Sequence, residues 1–260
     1  MIEQILPGGV SSAALRDFAA AEPLLPAEAK ALGRVCRARA AEFTAGRHCA
    51  QAALASLGMP SAPLLRAADG APHWPAGTVG AITHCRGYCA AAAAPTTAFA
   101  SIGIDAEPDL PLPHRVTDHI TLPAERYWLA TAERCWLATG ERPANLDRLL
   151  FSAKESVYKA WAPLTNGAWL GFTDATVTVD LDAGVFDATL HVPPPLVDGV
   201  PQPHFTGRFL MLPDLILTSV VIPRSTPRAP RTRPPITATP TPSTRTRTRT
   251  RTRTTLSMIM

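Results

Sequence analysis

The chain has 260 residues, 46 % of them hydrophobic, and carries 25 Lys+Arg against 21 Asp+Glu for a formal net charge of +4. That length supports one substantial core or two fused small lobes. The charge argues against duplex binding by the body of the protein: nine arginines and no acidic residue fall between Arg224 and Met260, and without them sixteen basic residues face twenty-one acidic ones, a net of −5. Non-specific grip on nucleic acid depends on many simultaneous phosphate contacts, which such a body does not offer.

In chain order, Leu24, Leu25, Ala29, Leu32, Val35 and Cys36 recur at three- and four-residue steps, predicting a helix primed by Pro26. A second helix is expected through Arg47 to Leu57, stopped by Gly58 and Pro60. Glycine and proline then punctuate a loop-rich path to Gly80, including Asp69 to Pro75, where an ordered turn suits a ligand site. Two short apolar strands are expected next, one leading into Ala81-Ile82-Thr83-His84 and one through Phe99 to Ile104, the latter delivering Asp105 and Glu107 at its end. Pro108, Pro111 and Pro113 close that segment. Helical signal returns from Pro123 to Thr139 and from Phe151 to Ala160, before Pro163. Period-two alternation marks Ala175 to Asp180 as a strand and, less cleanly, Phe209 to Val221. The order predicts an α+β protein of two similar-sized lobes, 1–103 and 104–223, followed by a disordered Arg/Thr/Pro-rich tail, 224–260.

Five cysteines, Cys36, Cys49, Cys85, Cys89 and Cys135, are odd in number and sparse, and Glu3, Pro7, Gly8 and Gly9 interrupt any apolar leader run. A cytoplasmic protein with reduced thiols is expected. The Cys85 to Cys89 spacing lacks the second close pair that a zinc site needs. No membrane span is expected, because the most apolar stretch, Tyr88 to Ala100, is short and broken by Pro95.

The chemistry concentrates in two places. From an extended backbone Asp105 and Glu107 point the same way, because strand side chains repeat with period two, and Gly103 permits close approach of another backbone. On a helix, Glu155 and Lys159 share a face. An ordinary surface ion pair is worth only about 0.3–0.5 kcal/mol, but the chain has just three lysines, Lys30, Lys154 and Lys159, and two of them flank this one glutamate among Phe151, Val157, Tyr158 and Trp161. Three converging carboxylates need a cation, and magnesium takes oxygen ligands and bridges carboxylates to phosphates. Lys159 or Lys154 then completes an electrostatic clamp on a pyrophosphate. Arg39, Arg47 and His84 are candidates for further phosphate, with Arg47 near the start of its expected helix.

Gly103-Ile104-Asp105-Ala106-Glu107-Pro108, taken with Phe151-Ser152-Ala153-Lys154-Glu155-Ser156-Val157-Tyr158-Lys159, resembles the paired G-x-D-x-E and K-E-S-x-x-K signature of the 4′-phosphopantetheinyl transferases. Arg39 to Ala50, Trp74-Pro75 and Ile82-Thr83-His84 are similar to the branch serving siderophore and other nonribosomal peptide synthesis, the enterobactin-synthetase component D type. The resemblance implies a monomeric pseudo-dimer of two α+β lobes with coenzyme A between them. It implies magnesium on Asp105, Glu107 and Glu155, a coenzyme A phosphate on Lys159, and the nucleotide end with its 3′-phosphate held by Arg39, Arg47 and His84. It also implies that the serine of an apo acyl or peptidyl carrier protein attacks the β-phosphorus and that 3′,5′-bisphosphoadenosine leaves. Glu155 is then the candidate base, and Lys154 an alternative to Lys159 as stabiliser of the leaving phosphate. Ala81 stands where relatives usually offer serine, and the Arg-Thr extension has no family counterpart.

Overall fold

A computed structural model describes residues 1–67, 70–139 and 145–225, without the side chains of residues 133 and 135–139. The expected disorder of the tail lies outside the described residues from 226 onward, and so do Asp69 and the Cys135 side chain.

The first half contains β1 (Ser11–Leu15), α1 (Pro26–Leu32), α2 (Arg37–Ser56), β2 (Thr78–Cys85) and β3 (Tyr88–Pro95). β3 lies between β1 and β2, antiparallel to both. It is an almost pure alanine strand, and Ala90 to Ala94 are fully buried. The reason is that both of its faces are packed. Cys89, Ala91 and Ala93 meet Ala45, Cys49, Ala53 and Leu54 of α2, while Ala90, Ala92 and Ala94 join Ile102, Ile104, Leu215 and Leu217. Small side chains let a helix and a second sheet approach one strand from opposite sides without overpacking.

The second half opens with β4 (Phe99–Pro108), followed by α3 (His114–Ile120), α4 (Pro123–Thr139) and α5 (Leu146–Trp161). Then come β5 (Ala175–Asp180), β6 (Val185–Leu190), the short pair β7 (Leu196–Val197) and β8 (Val200–Pro201), β9 (His204–Leu212) and β10 (Leu215–Pro223). Five of these strands form an antiparallel sheet in the order β4-β10-β9-β6-β5. Its main core is built on α5, whose Leu149, Leu150, Ala153, Val157 and Ala160 pack with Phe186, Phe205, Ile216 and Val220. Period two divides β4: Ile102, Ile104 and Ala106 face the first sheet, whereas Ser101, Gly103 and Asp105 face α5. A side chain on Gly103 would stand 1.9 Å from the Ser156 carbonyl oxygen and 2.6 Å from the Ala160 nitrogen, so only glycine lets α5 lie this close to the strand. Ser101 Oγ donates to the Ala160 carbonyl at 2.6 Å and fixes the same contact.

Several sequence expectations change. The helix expected from Arg47 begins at Arg37 and runs 20 residues, because alanine carries helix propensity through the arginine-rich start. The helix primed by Pro26 ends at Leu32, where Gly33 adopts φ 65°, so Val35 and Cys36 lie beyond it. The alternation seen from Phe209 to Val221 belongs to two strands, β9 and β10, turning at Pro213-Asp214. β4 runs unbroken through Gly103 and Ile104, with β10 as its ladder partner. Among the described residues no helix is long and apolar enough to cross a membrane.

Candidate active site

Asp105 is the centre of a buried polar cluster, only 4 % exposed. Its Oδ2 accepts a hydrogen bond from Ser152 Oγ at 2.8 Å. Its Oδ1 accepts from Lys159 Nζ at 2.7 Å and from Thr83 Oγ1 at 3.3 Å. Lys159 also donates to the Ile104 carbonyl at 3.1 Å. Thr218, directly opposite Asp105 in the β4/β10 ladder, stands 2.9 Å from Ser152 Oγ and donates to the Ser152 carbonyl at 2.9 Å. β2, β4, α5 and β10 thus converge on one carboxylate, a burial that is tolerable only because each oxygen is hydrogen-bonded and a cation is in contact.

Glu107, two positions on, pairs with Arg148 Nη1 at 2.8 Å. The same guanidinium donates to the Leu110 and Pro111 carbonyls, tying the chain after β4 to α5. Burial and the charge of Asp105 push the Glu107 carboxyl above the usual carboxylate range, opposed by Arg148. Glu155 is pushed up for the same two reasons, with Lys159 opposing, and it makes no hydrogen bond or ion pair with another described side chain. Glu107 and Glu155 each carry repulsion from Asp105. As a donor set, all hard oxygen, they match magnesium chemistry. Yet among the described residues no three His, Cys, Asp or Glu side chains converge as a ready metal cage: Glu107 is drawn to Arg148 and Asp105 to Lys159.

The two lysines of the second motif separate sharply. Lys154 is buried and does not reach this cluster. Its ammonium donates to Glu125 Oε2 at 2.8 Å and to the carbonyls of Ile120, Phe172 and Ala175 at 2.8, 2.7 and 3.2 Å. Glu125 in turn accepts from the Val177 and Leu122 amides. The ion pair joins α4, α5 and β5, so the expectation of a leaving-phosphate role for Lys154 is met by a side chain already fully occupied.

The upstream basic residues form a second group. Arg39 Nη1 stands 3.1 Å from His84 Nε2 and donates to Glu42 Oε2 at 3.2 Å, with His84 Nδ1 3.8 Å from the same carboxylate. Burial, with Arg39 and Lys159 as like charges, pushes the His84 imidazole below its ordinary value, against the pull of Glu42 and Asp105. His84 therefore lies within charge range of both groups. Arg47 is 6 % exposed, donates through Nε to the Leu64 carbonyl at 2.8 Å and lies 4.3 Å over the Phe43 ring. It sits in the middle of α2 rather than near its start, so no helix-terminus field assists it; Arg37 and Arg39 are the arginines in the first turn. Burial pulls the Arg47 guanidinium down, and Arg66 and Arg39 add like-charge repulsion. Arg66, absent from the sequence reading, thus belongs to this basic group. It was hidden because it lies in a loop far along the chain from Arg39.

A cleft of about 760 Å³ reaches the acidic cluster at Lys159. Pro72, His73 and Trp74 form one wall, Ala81 and Ile82 the floor, and Tyr158 and Lys159 the other side. The loop-rich path after Pro60 does line a ligand-sized cavity. On the far side of Tyr158 a smaller pocket of about 180 Å³ is lined by Glu155, Trp169, Leu170 and Phe172. Trp169 is 76 % exposed and rests on the Tyr158 ring, with centroids 5.4 Å apart.

Comparison with known proteins agrees with this arrangement. Residues 15–94 match the 4′-phosphopantetheinyl transferase N-terminal domain and residues 101–193 match the 4′-phosphopantetheinyl transferase superfamily model. The chain is 44 % identical over 228 residues to the 4′-phosphopantetheinyl transferase Npt of Nocardia iowensis, covering 85 % of this chain and 99 % of that protein. It is 48 % identical over 200 residues to Svp of Streptomyces mobaraensis (76 % and 78 % covered) and 43 % identical over 204 residues to PptT of Mycobacterium tuberculosis (76 % and 86 %), both 4′-phosphopantetheinyl transferases. These three carry the general name of the activity and not that of the enterobactin component. The two matched segments divide between the alanine-strand half and the α5-centred half, and with whole-length relatives at this identity the chain belongs to the 4′-phosphopantetheinyl transferase superfamily, enzymes that transfer phosphopantetheine from coenzyme A to a serine of a carrier protein.

Proposed function

We propose that coenzyme A lies along the 760 Å³ cleft, with its nucleotide end toward Arg39, Arg47, Arg66 and His84 and its pyrophosphate beside Lys159. The observation that carries this reading is the position of Lys159, whose ammonium touches Asp105 while its side chain lines the cleft. It is the one sequence-identified cation that joins the acidic cluster to the cavity. The apolar pocket beyond Tyr158 then receives the pantetheine arm, and Glu155 stands between arm and pyrophosphate.

Asp105, Glu107 and Glu155 are the residues that would hold magnesium, which would neutralise pyrophosphate charge and polarise the scissile phosphoanhydride. The carrier serine Oγ attacks the β-phosphorus, the phosphoanhydride bond breaks, and 3′,5′-bisphosphoadenosine departs with the bonding electron pair. Glu155 takes the serine proton, a role its raised carboxyl suits. Lys159 and the arginines stabilise charge on the departing nucleotide. Acceptors are apo carrier domains of nonribosomal peptide or polyketide synthases, in the cytosol, and the Trp74-Pro75 and Ile82-Thr83-His84 segments favour a siderophore-type, enterobactin-synthetase component D subclass. The protein acts as a monomer with lobes 1–103 and 104–223.

Incubation with magnesium, coenzyme A and several apo carriers, read by intact-mass spectrometry, tests the proposal. Addition of one phosphopantetheine to a peptidyl or polyketide carrier is expected, and no mass gain on any of them rejects the acceptor assignment.

A further inference from the structure

Glu28 of α1 is 1 % exposed although it ends in a carboxylate, and such burial requires that its oxygens be hydrogen-bonded. Its Oε2 accepts from the Leu25 amide at 3.1 Å, closing the first turn of α1. Its Oε1 accepts from the Leu64 amide at 2.9 Å and from Gln51 Nε2 at 3.5 Å. Gln51 Nε2 also donates to the Ala62 carbonyl at 2.6 Å, and the Leu64 carbonyl accepts from Arg47 Nε at 2.8 Å. Residues 62–64 belong to no strand or helix. Three side chains from α1 and α2 hold them in place, and Leu64 itself is fully buried.

What this staple supports is the wall of the cleft. Directly after Leu64 the chain doubles back: the His73 amide donates to the Leu65 carbonyl at 2.8 Å and the Ala67 amide to the Ala71 carbonyl at 2.8 Å, with Arg66 bridged to Pro72. The returning arm presents Pro72, His73 and Trp74 to the cavity, and the Trp74 ring lies so close over Gly80 that a side chain there would stand 2.7 Å from it. Because Leu64 leads directly into this turn, displacing it is expected to shift Arg66 and the wall with it.

We propose that Glu28 and Gln51 are positioning residues for coenzyme A: they set where the wall and Arg66 stand, and so the affinity for the nucleotide, without touching the reacting atoms. The inference rests on the reading of the cleft as the coenzyme A site. Its test is steady-state kinetics of the full chain with coenzyme A varied and the carrier saturating. Glu28→Ala is expected to raise KM for coenzyme A about tenfold, the scale of a lost hydrogen bond to a charged group, and Gln51→Ala about threefold. In both, kcat should stay within about twofold, the pattern of lost binding that is equal in ground and transition states. Glu28→Gln keeps an acceptor for the Leu64 amide and should fall between wild type and Glu28→Ala. Unchanged KM in Glu28→Ala and Gln51→Ala, or a fall in kcat without a rise in KM, overturns the proposal; if Glu28→Ala does not fold, Glu28→Gln and Gln51→Ala decide it in the same way. Trp74→Ala separates the two levels. If it raises KM while the staple variants do not, only the positioning role fails, whereas no effect from Trp74→Ala removes the cleft assignment beneath it.

Discussion

Two regions of α5, five residues apart, treat the same side chain in opposite ways. Lys154 is sealed against Glu125 and three carbonyls, whereas Lys159 meets Asp105 and a carbonyl at the edge of a ligand-sized cleft. A five-residue step turns a helix by 500°, or about 140° net, so the first lysine faces into the junction with α4 and β5 and the second faces β4 and the cavity. The lesson is that motif membership does not assign a role. A buried lysine with all its protons committed is an anchor, and one with an open side is available to a phosphate.

The strongest way to break this contrast is to push α5 off β4. Gly103→Ala places a methyl group on the Ser156 carbonyl, and its expected outcome is loss of the native fold or a destabilisation above about 4 kcal/mol, measured by chemical denaturation; a variant of wild-type stability would mean that α5 sits further from the strand. Next, Asp105→Asn should lower transfer by at least about 10³-fold with the secondary structure retained, as judged by carrier mass gain and circular dichroism. Lys154→Met sharpens the comparison directly. It leaves Glu125 buried without its cation and should cost about 3 kcal/mol of stability, while kcat per folded molecule changes little; a catalytic loss with unchanged stability would return Lys154 to the reaction. Arg39→Ala should raise KM for coenzyme A about tenfold and affect a substrate lacking the 3′-phosphate much less.

The smallest effect concerns pH. His84 titrates below its ordinary value in the folded chain, chiefly through burial, so the unfolded chain binds its proton first as pH falls. Its stabilising contribution is present above the usual histidine value of about 6.5 and is lost as pH falls through the lowered folded value. Replacing it by Asn should flatten the acid side of a stability-against-pH curve, and an unaltered curve would show that His84 is not the titrating group.

Much of the site was legible before any coordinates. Asp105 and Glu107 share one face of a strand, and Glu155 and Lys159 share a helical face, because periods of two and 3.6 are local properties. The helix Pro123–Thr139 and the strand Ala175–Asp180 were readable for the same reason. β3 was not, since an alanine run carries no alternation; its strand character comes from neighbours on both faces. Nor was the partner of each acid. Arg148 lies 41 residues from Glu107, Ser152 47 from Asp105, and Glu125 29 from Lys154, and nothing within a local window carries such pairings.

The sequence by itself determined which chemistry this chain carries: hard-oxygen acids and a few basic groups, in an order and spacing shared with a family of phosphopantetheine-transferring enzymes. Tertiary structure alone decided which lysine meets Asp105, where Arg47 sits on its helix, and that Glu28 is buried against the Leu64 amide. The physical reason is that charge and period are written locally along the chain, whereas burial and partnership depend on which distant surfaces the fold presses together.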